Sequence, residues 1–186
     1  TQSGYTVVAI ADSKVTVENR NGLNIEALEA HKKKTGSLKG SDGGTELSSN
    51  AVLSVEADVL VPAALEAAIH KEIVGEVKAS IIVEVANGPI TPEAEQMLLE
   101  REVLIVPDIL ANAGGVTVSY FEQVQNASNY YWGEAEVLEK LNRIMDESFA
   151  SVWQKMKDLK SDNMRLAAYV VAIERVVQAM KDRGRF

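Results

Sequence analysis

The sequence contains no cysteine, which excludes disulfide bonds and thiolate metal sites. Its two histidines, His31 and His70, are far apart and have no carboxylate at metal-ligand spacing, so no metal site is expected. There is no signal-peptide pattern and no apolar run of about 18 residues, so we expect no membrane association and a cytoplasmic location. Basic residues number 19 against 27 acidic ones, and the resulting charge of −8 argues against binding to nucleic acid or anionic membranes.

Hydrophobic residues are plentiful, at 46% of the 186 positions, which is enough for the core of one domain with a small appendage. Four short apolar runs are rich in β-branched residues and are continuous rather than alternating. Such runs are typical of strands buried on both faces of a parallel sheet. They lie at residues 7–11, 59–61, 81–83 and 103–106.

Helix-end signals separate these runs. Asn24 is a candidate N-cap for a helix over residues 25–34, and Gly36 suits the left-handed residue that ends it. Thr91 followed by Pro92 predicts the start of another helix. Helices alternating with buried runs predict βαβ units.

The pattern changes after Asp108, where no further strand signal occurs and three helices are predicted. The first covers about residues 109–126, and the second has apolar residues at helical spacing over 137–159. The third begins at residue 162 or 163 and continues to about 183. Residues 36–46, rich in Gly, Ser and Asp, are predicted to form a loop.

Polar or small residues follow the first two apolar runs. Asp12 closes the first run, where an acidic residue of a dinucleotide fold hydrogen-bonds the adenosine ribose. It is equally explained as a solvated strand end. Ala63 and Ala64 follow the second run and leave room for a ribose or pyrophosphate, although a tight strand-to-helix turn explains them as well.

The ends of the last two runs contain amides and glycines. Asn87 precedes Gly-Pro and is either a turn residue or a partner for a carboxamide, since an amide both donates and accepts. Glu84 is expected to be hydrogen-bonded or to line a crevice, because an unpaired buried carboxylate is costly. Asn112 and Ser119 lie about two helical turns apart on one face and flank two adjacent glycines. They predict a ligand site, and the alternative is a glycine-kinked helix entry with a buried serine.

Several motifs occur in the order and spacing of one enzyme family. They are Ala-Asp-Ser-Lys at 11–14, Asn-Gly-Leu at 21–23, Val-Pro-Ala-Ala at 61–64, Glu-Val-Ala-Asn-Gly-Pro at 84–89, the segment 107–122, and Met-Arg-Leu-Ala-Ala-Tyr at 164–169. Through them the chain resembles the C-terminal part of hexameric-type glutamate dehydrogenases. The related leucine, valine and phenylalanine dehydrogenases share Asn-Ala-Gly-Gly, whereas Val-Ser-Tyr-Phe-Glu at 118–122 favours the glutamate branch.

The resemblance implies an α/β fold, with an incomplete Rossmann-like parallel sheet flanked by helices and a helical C-terminal region. It also implies interconversion of glutamate with 2-oxoglutarate and ammonia, with NAD or NADP as cofactor and a homo-oligomeric assembly. By this likeness, the ribose and cofactor cleft involve Asp12, Ser13, Ala63, Ala64 and Asn87. Asn112 meets nicotinamide or substrate, and Ser119 binds the distal carboxylate of glutamate. Ser13 and Lys14 leave use of either cofactor open.

The chain also departs from the family pattern. It lacks the glycine-rich phosphate loop with its preceding strand, and the substrate domain with its lysines and aspartate. Val85 stands where Gly or Ala is expected, and Gln123 where Trp is expected. We therefore expect an isolated chain without turnover, with a dinucleotide-binding core over 1–132 and C-terminal helices over 133–186 packing on it.

The missing central strand leaves two apolar edges, at residues 7–11 and 59–61. We expect these strands either to pair with each other or to be completed by another chain. An alternative of another class is a non-catalytic assembly module without cofactor, in which helices after Gly133 bury an intermolecular surface.

Overall fold

A computed structural model describes residues 4–185. The chain forms two compact units, one from residues up to 58 together with 72–79, the other from residues 59–71 and 80 onward. The first unit contains an antiparallel sheet, and the second contains a parallel sheet with most of the helices.

In the first unit, three strands pair in the order β1 (Ala9–Ala11), β2 (Val15–Glu18) and β3 (Thr45–Ser48), and both ladders are antiparallel. The expectation that residues 7–11 belong to a parallel sheet is therefore wrong. Of the two outcomes expected for the apolar edges, pairing of this run with residues 59–61 is not found, because the two runs belong to different sheets. Completion of either edge by another chain stays a prediction. The physical reason is the tight turn at Asp12, which returns the chain along β1 and satisfies its backbone groups with β2.

Helix α1 (Ile25–Thr35) has the predicted ends. The Asn24 side chain accepts from the Ala27 N–H at 3.1 Å, and Gly36 adopts φ 78°. Each cap satisfies a backbone N–H or C=O group at a helix end that has no partner within the helix. Because the cap is close to this group in the chain, the sequence predicts it. One hydrophobic cluster of this unit contains the buried residues Val15, Val17, Leu23, Leu28 and Leu38.

In the second unit, the strands β4 (Val59–Leu60), β5 (Ile81–Val83) and β6 (Leu104–Val106) pair in parallel in that order. Helix α2 (Pro92–Glu100) connects β5 to β6, and Thr91 caps it by accepting from the Ala94 N–H. This is the predicted incomplete Rossmann-like sheet flanked by helices. Its central residue Ile82 is fully buried, as expected for a strand covered on both faces.

Four helices follow the parallel sheet: α3 (Asp108–Ala111), α4 (Ala113–Ser128), α5 (Glu134–Asp158) and α6 (Met164–Asp182). The single helix predicted over 109–126 is interrupted at Asn112, so that α3 and α4 are separate. The helical core lies against β6 and comprises Leu110, Val152, Met156, Met164, Ala167, Ala168 and Val171. None of the helices in residues 4–185 is both long and apolar enough to cross a membrane.

Candidate functional site

The three parallel strands end at one edge of the sheet, and hydrogen bonds join the segments that follow them. Val85 and Ala86 N–H groups donate to the Pro62 carbonyl at 3.1 and 3.0 Å. The Glu84 N–H donates to the Val106 carbonyl at 3.0 Å. In open α/β sheets, ligands bind in the crevice beyond the carboxyl ends of the strands, which makes this edge the candidate site.

Two asparagines meet at this edge. The Asn112 side-chain nitrogen donates to the Asn87 side-chain oxygen at 2.7 Å and lies 3.4 Å from the Val85 carbonyl. The Asn112 side-chain oxygen and the Asn87 side-chain nitrogen have no hydrogen-bond partner within residues 4–185. One acceptor and one donor therefore remain, which is the complement of a carboxamide.

Asn112 lies at the junction of α3 and α4. Its backbone has φ −98° and ψ 3°, in the sparsely populated bridge region where many active-site residues occur. This conformation ends α3 after one turn and separates it from α4. The asparagine is thereby held at a break between helices rather than within a regular helix.

The two glycines that follow are not required by packing within the chain. A Cβ at Gly115 would meet nothing within 4 Å, and one at Gly114 would touch only the Leu141 side chain at 3.8 Å. Glycine within a helix costs about 0.5–1 kcal/mol relative to alanine. Packing among the described residues therefore does not account for the two glycines, which leave open space at the start of α4.

The remaining predicted residues of this unit are exposed. Ser119 lies on α4, and its hydroxyl donates to the Gly115 carbonyl at 3.1 Å, so the alternative of a buried serine does not hold. Ala63 and Ala64 are exposed after Pro62, where they present only methyl groups. Val85 is 43% exposed, so its side chain points away from the core at the candidate edge.

A buried ionic cluster lies beneath the asparagine pair. Each nitrogen of the Arg165 guanidinium contacts a different carboxylate: Nε meets Glu95 at 2.8 Å, Nη1 meets Asp108 at 2.8 Å, and Nη2 meets Glu84 at 2.6 Å. Glu84 is fully buried and its Oε1 has no partner within the described residues. The expectation that Glu84 is hydrogen-bonded is confirmed.

The charges of this cluster shift one another's pKa values. Burial raises the pKa of the Glu84 carboxyl, although hydrogen bonds from Arg165 and the Asp108 N–H oppose this shift. Burial acts upward on the pKa of Asp108 as well, but hydrogen bonds from the Gly88 and Ile109 N–H groups and the charge of Arg165 lower it overall. The pKa of Arg165 rises because the carboxylates outweigh its burial, so the guanidinium stays charged.

Asp12 and Ser13 lie in the other compact unit. The Asp12 Oδ1 accepts from the Lys14 and Val15 N–H groups at 2.8 and 3.1 Å. Its Oδ2 accepts from the Ser37 hydroxyl at 3.1 Å and the Leu38 N–H at 2.7 Å. Burial alone would raise the pKa of Asp12, but these hydrogen bonds lower it well below its usual range. The carboxylate accepts about as many bonds as it can, while Ser13 is exposed.

Sequence reasoning brought out Asn87 and Asn112, which the structure joins, but it assigned no role to Arg165, Asp108 or Glu95. A signal was present for Arg165, because it directly follows Met164 in the first turn of α6 and flanks the apolar face of this helix. A cation at such a position needs buried carboxylate partners. Which carboxylates it finds depends on contacts 57 to 81 residues away in the chain.

Comparison with known proteins identifies the family of the chain. Residues 1–184 match the sequence profile of the Glutamate/Leucine/Phenylalanine/Valine dehydrogenase family. The chain is 50% identical to the NADP-specific glutamate dehydrogenase A1 of Halobacterium salinarum over 97% of its length, and 44% identical to the NAD-specific glutamate dehydrogenase of Clostridioides difficile over 97%. It covers 44% of each of these relatives, which is less than half of their length.

A solved structure is similar over the whole fold. The hetero-hexameric glutamate dehydrogenase of Thermus thermophilus, in its leucine-bound form, superposes with a TM-score of 0.90 at 34% identity. The alignment covers 98% of this chain and 42% of that one.

Within residues 4–185, no group of three or more His, Cys, Asp or Glu side chains is arranged to hold a metal ion.

Proposed function

The chain belongs to the Glutamate/Leucine/Phenylalanine/Valine dehydrogenase family, and from this premise we propose that it is the cofactor-binding part of an NAD(P)-dependent glutamate dehydrogenase. The complete reaction interconverts L-glutamate with 2-oxoglutarate and ammonia. Residues 1–132 form the dinucleotide-binding core in this proposal, and the helices of 133–186 support it.

The observation that carries the proposal is the Asn87–Asn112 pair at the carboxyl edge of the parallel sheet. The pair offers one free amide donor and one free amide acceptor beside glycines that leave open space. A nicotinamide carboxamide has the complementary acceptor and donor. When bound, the nicotinamide ring accepts or returns the hydride, while these residues hold it in orientation.

The other residues are assigned by the family resemblance. Ala63 and Ala64 let the cofactor lie close to the backbone after β4, and Ser119 on α4 binds the distal carboxylate of glutamate. Asp12 and Ser13 contact the adenosine ribose. Because the Asp12 carboxylate already accepts four hydrogen bonds, a ribose hydroxyl must displace one of them or share an oxygen. Ser13, which is exposed, is free to take part of this role.

Calorimetric titration of the chain with NAD, NADP and adenosine nucleotides tests the proposal. We expect saturable binding, weakened about three- to tenfold by Asn112→Ala, since a lost hydrogen bond costs about 0.5–1.5 kcal/mol. The matched control is Asn142→Ala, because Asn142 is exposed on α5. Absence of saturable binding, or equal loss in both variants, contradicts the proposal.

A second candidate is a non-catalytic assembly module, and one observation favours it. Helix α6 exposes an apolar stripe with residues three or four apart, and its members are Leu166, Tyr169, Ile173 and Val176, each about half exposed or more. Such a stripe is typical of a helix that packs on another chain. A tight oligomer in sedimentation velocity, together with no nucleotide binding, would support this candidate over the first.

A further inference from the structure

The Arg165 guanidinium joins three parts of the second unit that are distant in sequence. It projects from the first turn of α6, and its partners follow β5, lie within α2 and begin α3. Its side chain is only 19% exposed. The three hydrogen bonds leave the planar guanidinium in different directions. Only arginine has this fixed, fork-like arrangement of donors.

Both segments that hold the asparagine pair are bonded to this fork through one intervening carboxylate. Asp108 Oδ2 accepts from the Gly88 N–H at 2.8 Å, which holds the residue directly after Asn87. Glu84 Oε2 accepts from the Asp108 N–H at 2.8 Å, which holds the start of α3, the helix that ends at Asn112. The two carboxylates therefore bond to backbone on one side and to the guanidinium on the other.

The arrangement depends on the cation because three carboxylates surround one guanidinium. Glu84 is completely buried and leaves one oxygen without a partner in the described chain. Without the guanidinium, the buried Glu84 carboxylate and the partly buried Asp108 carboxylate would be left without their shared counter-charge. One of them would turn away or take up a proton, and the backbone hydrogen bond that it accepts would weaken.

We propose that Arg165 is a positioning residue, which sets the separation of Asn87 and Asn112 through Asp108 and Glu84 and thereby connects helix α6 to the nicotinamide-binding edge. The part concerning nicotinamide rests on the proposed function. The part concerning the asparagine geometry stands on the contacts alone. Arg165 does not touch the ligand in this scheme.

Arg165→Lys tests the inference, because lysine keeps the charge and loses the fork. In ¹⁵N-labelled protein we expect displaced signals for the Gly88 and Asp108 backbone amides and for the Asn112 side-chain amide. We also expect NAD and NADP to bind about fivefold more weakly, in line with one or two weakened hydrogen bonds. The matched control is Arg175→Lys, since Arg175 is exposed on the same helix and should leave all these signals in place.

If Arg165→Lys does not fold, Glu95→Gln provides the second test, because it neutralises the one carboxylate of the three that accepts no backbone hydrogen bond from the segments holding the asparagine pair. We expect smaller displacements of the same three signals in a folded protein. Unchanged Gly88, Asp108 and Asn112 amide signals in a folded variant of either kind overturn the inference. If the wild-type chain binds no nucleotide, the proposed function fails, and the amide signals alone still decide whether Arg165 positions the pair.

Discussion

At the scale of single residues, the same residue type has opposite roles in the two units. Gly115 has open space where a side chain would be, whereas a Cβ at Gly44 would lie 2.6 Å from the Val17 side chain and 2.9 Å from the Glu18 carbonyl. The first glycine is dispensable for packing, and the second is required by it. This contrast separates a glycine that packing requires from one that it does not.

Gly115→Ala is expected to stabilise the chain and weaken nucleotide binding. Alanine in a helix is better than glycine by about 0.5–1 kcal/mol, so the unfolding midpoint should rise. The added methyl group enters the open space at the start of α4 that the proposed function assigns to the ligand, so the calorimetric dissociation constants for NAD and NADP should increase. Gly75→Ala, also in open space but in the other unit, is the control. Unchanged nucleotide affinity in Gly115→Ala would remove Gly115 from the site.

Asp12→Asn is expected to lower the free energy of unfolding of the first unit by about 1–3 kcal/mol, because the hydrogen bonds that the charged carboxylate accepts are lost. The folded pKa of Asp12 lies below its ordinary value of 3.8, so its contribution is complete above that value and disappears as the pH falls below it. The difference in amide hydrogen-exchange protection of Val17 between wild type and variant should therefore be constant from about pH 7 to 5 and narrow below about pH 4. Asp42→Asn, at an exposed position, is the control. A difference in Val17 protection that stays the same at all pH values would contradict the stabilising role of the charged Asp12 carboxylate.

At the scale of elements, the turn at Asp12 and the pairing of β1, β2 and β3 decide the shape of the first unit. Residues 7–11 have the composition of a buried parallel strand, yet they pair antiparallel with β2. The core beneath this sheet includes Val17, which is fully buried and lies against Gly44 just before β3. The close approach of the chain to β2 thus depends on the absence of a side chain at residue 44.

Gly44→Ala is expected to destabilise the first unit by about 1–3 kcal/mol, the usual range for a methyl group forced into a packed core. The sign is opposite to that of Gly115→Ala, although the substitution is the same. Chemical denaturation with the Val17 and Ile10 amide signals as probes checks it. A variant as stable as wild type would show that β3 can move away from β2 without cost.

At the scale of the whole molecule, the site is built on one side from the carboxyl edge of the parallel sheet and braced on the other by α6 through Arg165. The chain covers less than half of its relatives' length. By the family resemblance, none of its lysines lies in a motif equivalent to the substrate-binding and proton-transferring lysines. We therefore expect this chain to bind cofactor without turnover.

The pure 186-residue chain is expected to show no oxidative deamination of L-glutamate with NAD or NADP, because the side chains that would clamp the substrate and take its proton are not among the motifs present. A spectrophotometric assay of NADH or NADPH formation checks this. A relative of full length serves as the positive control. Measurable turnover above the buffer rate would place a base and substrate-binding groups within this chain and overturn the expectation.

Local chemistry determined much of the fold. Asn24, Gly36 and Thr91 were assigned as helix caps because a cap satisfies backbone groups within four residues of itself. Continuous β-branched runs predict the three parallel strands. Asn87 and Asn112 are predicted as site residues because each lies after the end of a predicted strand. The family followed from motifs whose order and spacing are visible without any structure. The assigned roles of these residues remain proposals.

Tertiary structure alone decided the rest, because it depended on pairings between distant parts of the chain. Residues 7–11 satisfy the pattern of a parallel strand, and only the turn at Asp12 and the available partner β2 made them antiparallel. The break at Asn112 came from the meeting of α3, α4 and the β5 loop. Arg165 finds Glu84 from 81 positions away. The backbone groups at a helix end find their cap within a few residues along the chain. A buried charge has many possible partners in the sequence, and only folding selects among them.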